Sequence, residues 1–162
     1  MGIAIGDTIP AGTFRAMGDN GPEEISTSDL LSGRRVALFA VPGAYTPTCS
    51  SAHVPSFMRV RDQLAAKGVD AVVCVSVNDV FVMQQWGADT GASAAGIQML
   101  SDTDGSFTKS IGMDFDAPPV GLLSRSKRYS MIVEDGKVTQ LNEEASPGEC
   151  EISAGETLLG QI

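Results

Sequence analysis

The stretch Pro42-Gly43-Ala44-Tyr45-Thr46-Pro47-Thr48-Cys49-Ser50 follows an apolar run and opens a helical pattern, which puts one sulfur in the first turn of a helix. Thr is favoured at the N-cap and Pro at the first helical position, so Thr46 reads as N-cap, Pro47 as N1 and Cys49 as N3. Unpaired backbone N–H groups and the positive end of the macrodipole meet at that position and favour a thiolate. The Thr46 hydroxyl would lie beside the Cys49 backbone, near the place where the sulfur meets a substrate. Pro42, at the strand end, removes a backbone donor and stiffens the approach to a small pocket at the carboxyl edge of a sheet.

A thiolate is best served by a cation that stays charged, which points to arginine. Arg128 begins a strand, where backbone pairing fixes its base, whereas Arg59 and Arg61 fall on a helix and Arg34 and Arg35 flank a strand entry. Spacing alone does not single it out. His53 is four residues after Cys49, on the same face of an α-helix, so a thiolate–imidazolium pair and a cysteine hydrolase are a rival reading. Cys74 sits within Ala71-Val72-Val73-Cys74-Val75, where core packing is the first explanation. Cys150 follows Pro147-Gly148-Glu149, a loop-like and movable setting.

The elements that must position these residues follow from the hydrophobic pattern. Residues 1–34 suggest an N-terminal hairpin with a strand at Thr13–Met17 and a turn at Gly18–Gly21, then a brief helix over Leu30-Leu31 capped by the Ser26–Asp29 stretch. Arg35–Val41 and Asp70–Val77 are near-continuous apolar runs, expected as strands buried on both faces, with a helix from Cys49 to Lys67 between them. A second helix follows Asn78-Asp79, a third strand covers Gly96–Leu100 and a short helix lies near Phe107–Ile111. Asp102-Thr103-Asp104-Gly105 reads as a turn and cap, because its Gly is misplaced for a calcium loop. Arg128–Val133, Glu134-Asp135-Gly136-Lys137 and Val138–Leu141 form a hairpin signal, and Ala154–Ile162 closes the chain as a helix. Together these predict an α/β thioredoxin-like fold in one domain, 1–162: a mixed central sheet flanked by helices, with an N-terminal hairpin extension.

The totals narrow the function classes. A 162-residue chain with 43% hydrophobic residues can bury a real core, and a formal net charge of −9 disfavours nucleic acid and anionic membranes as partners. Three cysteines without a CxxC pair support neither a disulfide scaffold nor a zinc knuckle, and no metal, haem or nucleotide motif appears, so no cofactor is expected. The opening Met1–Asp7 has no basic or long apolar stretch, which reads as a soluble, cytoplasmic protein.

The segment PGAYTPTC, within the run Val41 to Phe57, resembles the active-site signature of the peroxiredoxins, in particular the type II or peroxiredoxin 5 subgroup. The likeness extends through Cys74-Val75-Ser76-Val77-Asn78-Asp79 and Lys127-Arg128-Tyr129-Ser130-Met131. The resemblance implies a thiol-dependent peroxidase in which Cys49 attacks the peroxide and becomes a sulfenic acid. By the same resemblance Thr46 and Arg128 hold the peroxide oxygens, and Pro42 shields the sulfur. It also implies recycling by a thiol reductant (thioredoxin, glutaredoxin or glutathione) and a homodimer. Atypical two-cysteine relatives place a resolving cysteine in the C-terminal segment, which makes Cys150 the preferred partner of Cys49. Cys74 is a lesser candidate. A thioredoxin-fold redox sensor or chaperone module is the non-enzyme alternative; such a protein would react once and stop.

Overall fold

Arg35–Ala40 (β3) is the spine of the structure, and its side chains show why an unbroken apolar run is needed there. In the computed structural model, which describes residues 2–162, Ala37 and Phe39 enter the core on one face of the sheet, and Val36, Leu38 and Ala40 enter the other. A strand buried on both faces has no solvent-facing position to fill with a polar residue.

Ala71–Ser76 (β4) pairs parallel to β3, and Ile97–Ser101 (β5) pairs parallel to β4. Tyr129–Glu134 (β8) runs antiparallel on the other side of β3 and continues into Lys137–Glu143 (β9). The turn between them places both Asp135 and Gly136 at positive φ, 48° and 79°, as a type I′ hairpin turn demands. Thr13–Gly18 (β1) and Gly21–Ser26 (β2) form the expected N-terminal hairpin. It is joined to the sheet through Arg15 opposite Ser101, so the hairpin is the edge of a seven-stranded sheet ordered β2-β1-β5-β4-β3-β8-β9.

Helices cover both faces. Val54–Ala66 (α2), Val80–Thr90 (α3) and Gly155–Gly160 (α5) pack on the face that holds Phe39, Cys49 and Cys74, and Thr27–Leu31 (α1) and Ser106–Ser110 (α4) on the other. Ser26 caps α1 and Asp79 caps α3 through their side chains. The Asp102 carboxylate accepts from the Phe107 and Thr108 amides and the Thr108 hydroxyl, the capping role expected of its turn. At the α2–α5 crossing a Cβ on Gly155 would lie 2.5 Å from the Ser56 carbonyl oxygen, so only Gly permits that approach. No helix among the described residues is long and apolar enough to cross a membrane.

The sequence pattern did not reveal Asp114–Ala117 (β6) and Leu122–Ser126 (β7), a separate two-stranded sheet joined through a 3₁₀ turn at Pro118–Val120. Nor did it reveal that α2 is entered through a π-helical turn at Cys49–His53.

Candidate active site

Cys49 is the first residue of the π turn and is fully buried, at the point where β3 hands the chain to α2. Two side chains aim donors at its sulfur: Thr46 Oγ1 at 2.7 Å and Arg128 Nη2 at 3.1 Å. Thr46 Oγ1 also lies 2.8 Å from the Gly43 carbonyl oxygen. Its single proton thus has two acceptors: a thiolate receives it at sulfur, whereas beside a thiol it goes to Gly43 and the S–H turns to the hydroxyl oxygen. Thr46 precedes the helix at the expected place, but its hydroxyl serves the sulfur and Gly43 rather than capping an amide.

Arg128 is 2% exposed, and all three nitrogens of its guanidinium have partners. Nε and Nη2 donate to the Pro147 carbonyl at 3.1 and 3.0 Å, and Nη1 faces His53 Nδ1 at 3.0 Å. Among the described residues no carboxylate pairs with it. His53 Nε2 is 3.0 Å from the Ser153 carbonyl, which only accepts, so the ring proton sits on Nε2 and Nδ1 accepts from arginine. Burial first, and then the neighbouring Arg128 cation, lower the His53 pKa to about 3 against the pull of the Ser153 carbonyl. A neutral imidazole committed at both nitrogens is no general base for Cys49. The thiolate–imidazolium reading therefore fails, because the π turn inserts a residue and carries His53 to Arg128.

The loop ahead of Cys49 is clamped to the β4–α3 side. The Ala44 amide donates to Asn78 Oδ1 at 3.0 Å, and Arg125 Nη1 to the Val77 carbonyl at 2.9 Å. Tyr45, held at φ 64°, donates its hydroxyl to Asp89 at 2.6 Å; that carboxylate pushes the phenol pKa up to about 12. Trp86 Nε1 reaches Ser50 Oγ at 3.0 Å. These residues support the loop, and their part was not legible from residue type.

Pro42, Thr46 and Arg128 line one cavity of about 210 Å³ with Pro47, Thr48, Val120, Leu122, Pro147 and Gly148. It adjoins the sulfur through Thr46 and Arg128, both of which line it, and its walls are mainly apolar apart from the Thr and Arg donors. All three cysteines are free. Cys74 is completely buried on β4, and burial pushes its thiol well up. Cys150 is half-buried, and burial pushes its thiol up against the pull of Arg128. Its segment touches the helix of Cys49, with Thr48 Oγ1 donating to the Gly148 carbonyl at 3.1 Å.

A family model described as Redoxin matches residues 4–159. The chain belongs to the redoxin family, among the peroxiredoxins. Peroxiredoxin-2B of Arabidopsis thaliana is 40% identical over 158 residues, covering 97% of this chain and 96% of the relative. Peroxiredoxin-2E-2 of Oryza sativa subsp. japonica, described as chloroplastic, is 42% identical over 97% of this chain and 71% of its own length. Among solved structures, reduced Prx3 from Vibrio vulnificus in complex with hydrogen peroxide superposes with a TM-score of 0.92 at 46% identity, over 98% of both chains. Peroxiredoxin 5 from Alvinella pompejana superposes with a TM-score of 0.84 at 29% identity, over 97% of this chain and 96% of that one. The peroxiredoxin fold is thus the thioredoxin-like α/β arrangement described above, and the activity of the family is that of a thiol-dependent peroxidase.

Proposed function

We propose that Cys49 is the sulfur that carries the peroxidase chemistry of this peroxiredoxin, acting on hydrogen peroxide and organic hydroperoxides. The observation that carries this reading is the convergence of Thr46 and Arg128, which line a mainly apolar cavity, on one buried sulfur. The Cys49 thiolate attacks the terminal oxygen of ROOH, an S–O bond forms as the O–O bond breaks, and the departing RO⁻ takes up a proton as alcohol or water. Cys49 is left as a sulfenic acid. Charge leaves sulfur for the departing oxygen in that step, so donors already aimed into the space beside the sulfur stabilise the transition state. Pro42 and the other apolar walls keep water from competing for those donors.

Cys150 is the proposed resolving residue: its thiol attacks the sulfenic sulfur, expels water and forms a Cys49–Cys150 disulfide, which an external dithiol then reduces. Its half-buried position in a segment that bonds both Thr48 and Arg128 favours it over the sealed Cys74. A homodimer fits the exposed apolar side chains of Tyr45, Phe81, Val120 and Leu123, which belong to elements carrying or flanking the site. Three free thiols suit a reducing compartment such as the cytoplasm.

Peroxide consumption driven in turn by thioredoxin, glutaredoxin and glutathione tests this in wild type and in each Cys→Ser variant. Cys49→Ser should be inactive with every reductant. Cys150→Ser should still consume one equivalent of peroxide but gain a glutathione adduct instead of an intrachain bridge, read by intact mass. Turnover in Cys49→Ser would refute the assignment.

A further inference from the structure

The segment between β9 and α5 grips Arg128 from two sides. Near its start the Pro147 carbonyl accepts from Nε and Nη2, and near its end the Ser153 carbonyl holds His53 Nε2, whose other nitrogen accepts from Nη1. Cys150 lies between these two contacts. The far end of the segment is gathered onto one carboxylate. Glu144 Oε2 accepts from the Glu151 amide at 2.8 Å, the Ser153 amide at 2.7 Å and the Ser153 hydroxyl at 2.6 Å. Burial alone would raise the pKa of this carboxyl, but the donors from Ser153, Glu151 and Ile152 outweigh it and hold it below the usual carboxylate range. Packing contributes less on the Pro147 side, because a cavity of about 280 Å³ lined by Phe115, Lys127, Arg128, Glu144 and Pro147 lies behind it. The segment is therefore held by hydrogen bonds, and three of them converge on one carboxylate oxygen of Glu144.

We propose that Glu144 is a positioning residue that holds Arg128 and the Cys150 segment in register, so that its carboxylate speeds attack on peroxide and delays release of Cys150. The inference rests on the reading of Cys49 and Arg128 as the peroxide site. Loss of the carboxylate frees Ser153, His53 loses the acceptor that orients its ring, and the guanidinium loses its Nη1 partner and is left with the Pro147 carbonyl alone to aim Nη2 at sulfur. The same loss frees Cys150. The two effects have opposite signs, whereas general destabilisation would expose every thiol together.

Glu144→Ala and Glu144→Gln test this beside wild type, with Cys49 oxidation by hydrogen peroxide followed by stopped flow and alkylation of each cysteine followed by peptide mass mapping in the reduced protein. Gln keeps the length and one acceptor oxygen but loses the charge. Hydrogen bonds to a charged group are worth roughly tenfold or more, so in Glu144→Ala oxidation should slow about tenfold and Cys150 alkylation should quicken about tenfold, with Gln between. Cys74, sealed in β4, should stay unreactive. Oxidation within twofold of wild type in both variants overturns the proposal. So does Cys74 alkylation rising in step with Cys150 in Glu144→Gln, since that is loss of fold rather than release of a segment. The alkylation readout does not depend on peroxide, so failure of the Cys49 assignment, seen in Cys49→Ser, is separable from failure of this one.

Discussion

Replacing Arg128 by Ala should slow Cys49 oxidation far more than it weakens the fold. The variant removes the Nη2 donor 3.1 Å from the sulfur, one of two side chains that face the departing charge. A preorganised donor of that kind is worth about 2.7–4 kcal/mol in the transition state, or about 10²–10³ in rate. Two acceptors, the Pro147 carbonyl and His53 Nδ1, lose their partner, at about 1–3 kcal/mol each if water does not reach them. Against this, a buried cation that no carboxylate neutralises is itself costly, and its removal offsets part of the loss. The net change in melting temperature should be a few degrees, at about 2–4 °C per kcal/mol for a chain of this size. The assay is the second-order rate of fluorescence change on mixing with hydrogen peroxide. Trp86, the only tryptophan, is bonded to Ser50 beside Cys49 and reports the reaction. Arg128→Lys keeps the charge but not the fork, and should recover at most about a tenth of the wild-type rate. A rate in Arg128→Ala within threefold of wild type would refute the electrostatic argument, and so would a loss fully accounted for by the fraction unfolded at 25 °C.

Thr46→Val, nearly isosteric, deletes the donor 2.7 Å from the sulfur and should cut the oxidation rate about 10–100-fold, with Thr46→Ser restoring most of it; equal rates for Val and Ser would show that only shape matters at this position. Acid stability should depend on His53. Its folded pKa, about 3, lies below the unfolded value of about 6.5, so the unfolded chain binds the extra proton between them. The stabilisation is complete above about pH 6.5 and falls as pH drops toward 3, by up to about 5 kcal/mol. Glu144, depressed as well, adds to the loss in the same direction at lower pH. Urea midpoints from pH 7.5 to 4 should therefore fall more steeply in wild type than in His53→Gln, and parallel curves would count against a neutral, buried ring.

Much of the sheet was legible because burial on two faces leaves a strong mark. Arg35–Val41 and Asp70–Val77 are apolar runs with few other readings, and Asp135-Gly136 fixes the β8–β9 turn through positive φ. The β6–β7 sheet left no such mark, because its residues alternate between exposed and half-buried and are interrupted by Pro118-Pro119. Cys49, Thr46 and Pro42 could be placed from local capping rules and side-chain type. Arg128 could not be chosen firmly over Arg34, Arg35, Arg59 and Arg61 by spacing, and the structure alone shows its guanidinium at the sulfur. His53 was misplaced by assuming an α-helical face, and a π turn carries no periodicity long enough to read. The parts played by Pro147 and Ser153 are invisible in principle, because they act through backbone carbonyls that every residue type possesses.

The way the site holds its arginine also bears on why the charge is available for chemistry. A carboxylate about 4 Å from the guanidinium would bind it by about 4 kcal/mol at an effective dielectric of 20, and a peroxide oxygen would have to compete with that attraction. Here the nearest fixed links are neutral: the Pro147 carbonyl and the imidazole of His53. The anion that organises the segment, the Glu144 carboxylate, spends its oxygen on two amides and a hydroxyl, and its hydrogen-bond path to the guanidinium runs through Ser153 and the uncharged ring. The neutral ring passes position from Glu144 to Arg128 without passing charge. A protonated His53 would repel Arg128 and lose its acceptor at Nδ1, which is why burial of the ring and the low pKa belong to the same arrangement. Sulfur and the peroxide oxygen that departs as the O–O bond breaks are then the centres at which the full positive charge of Arg128 is answered.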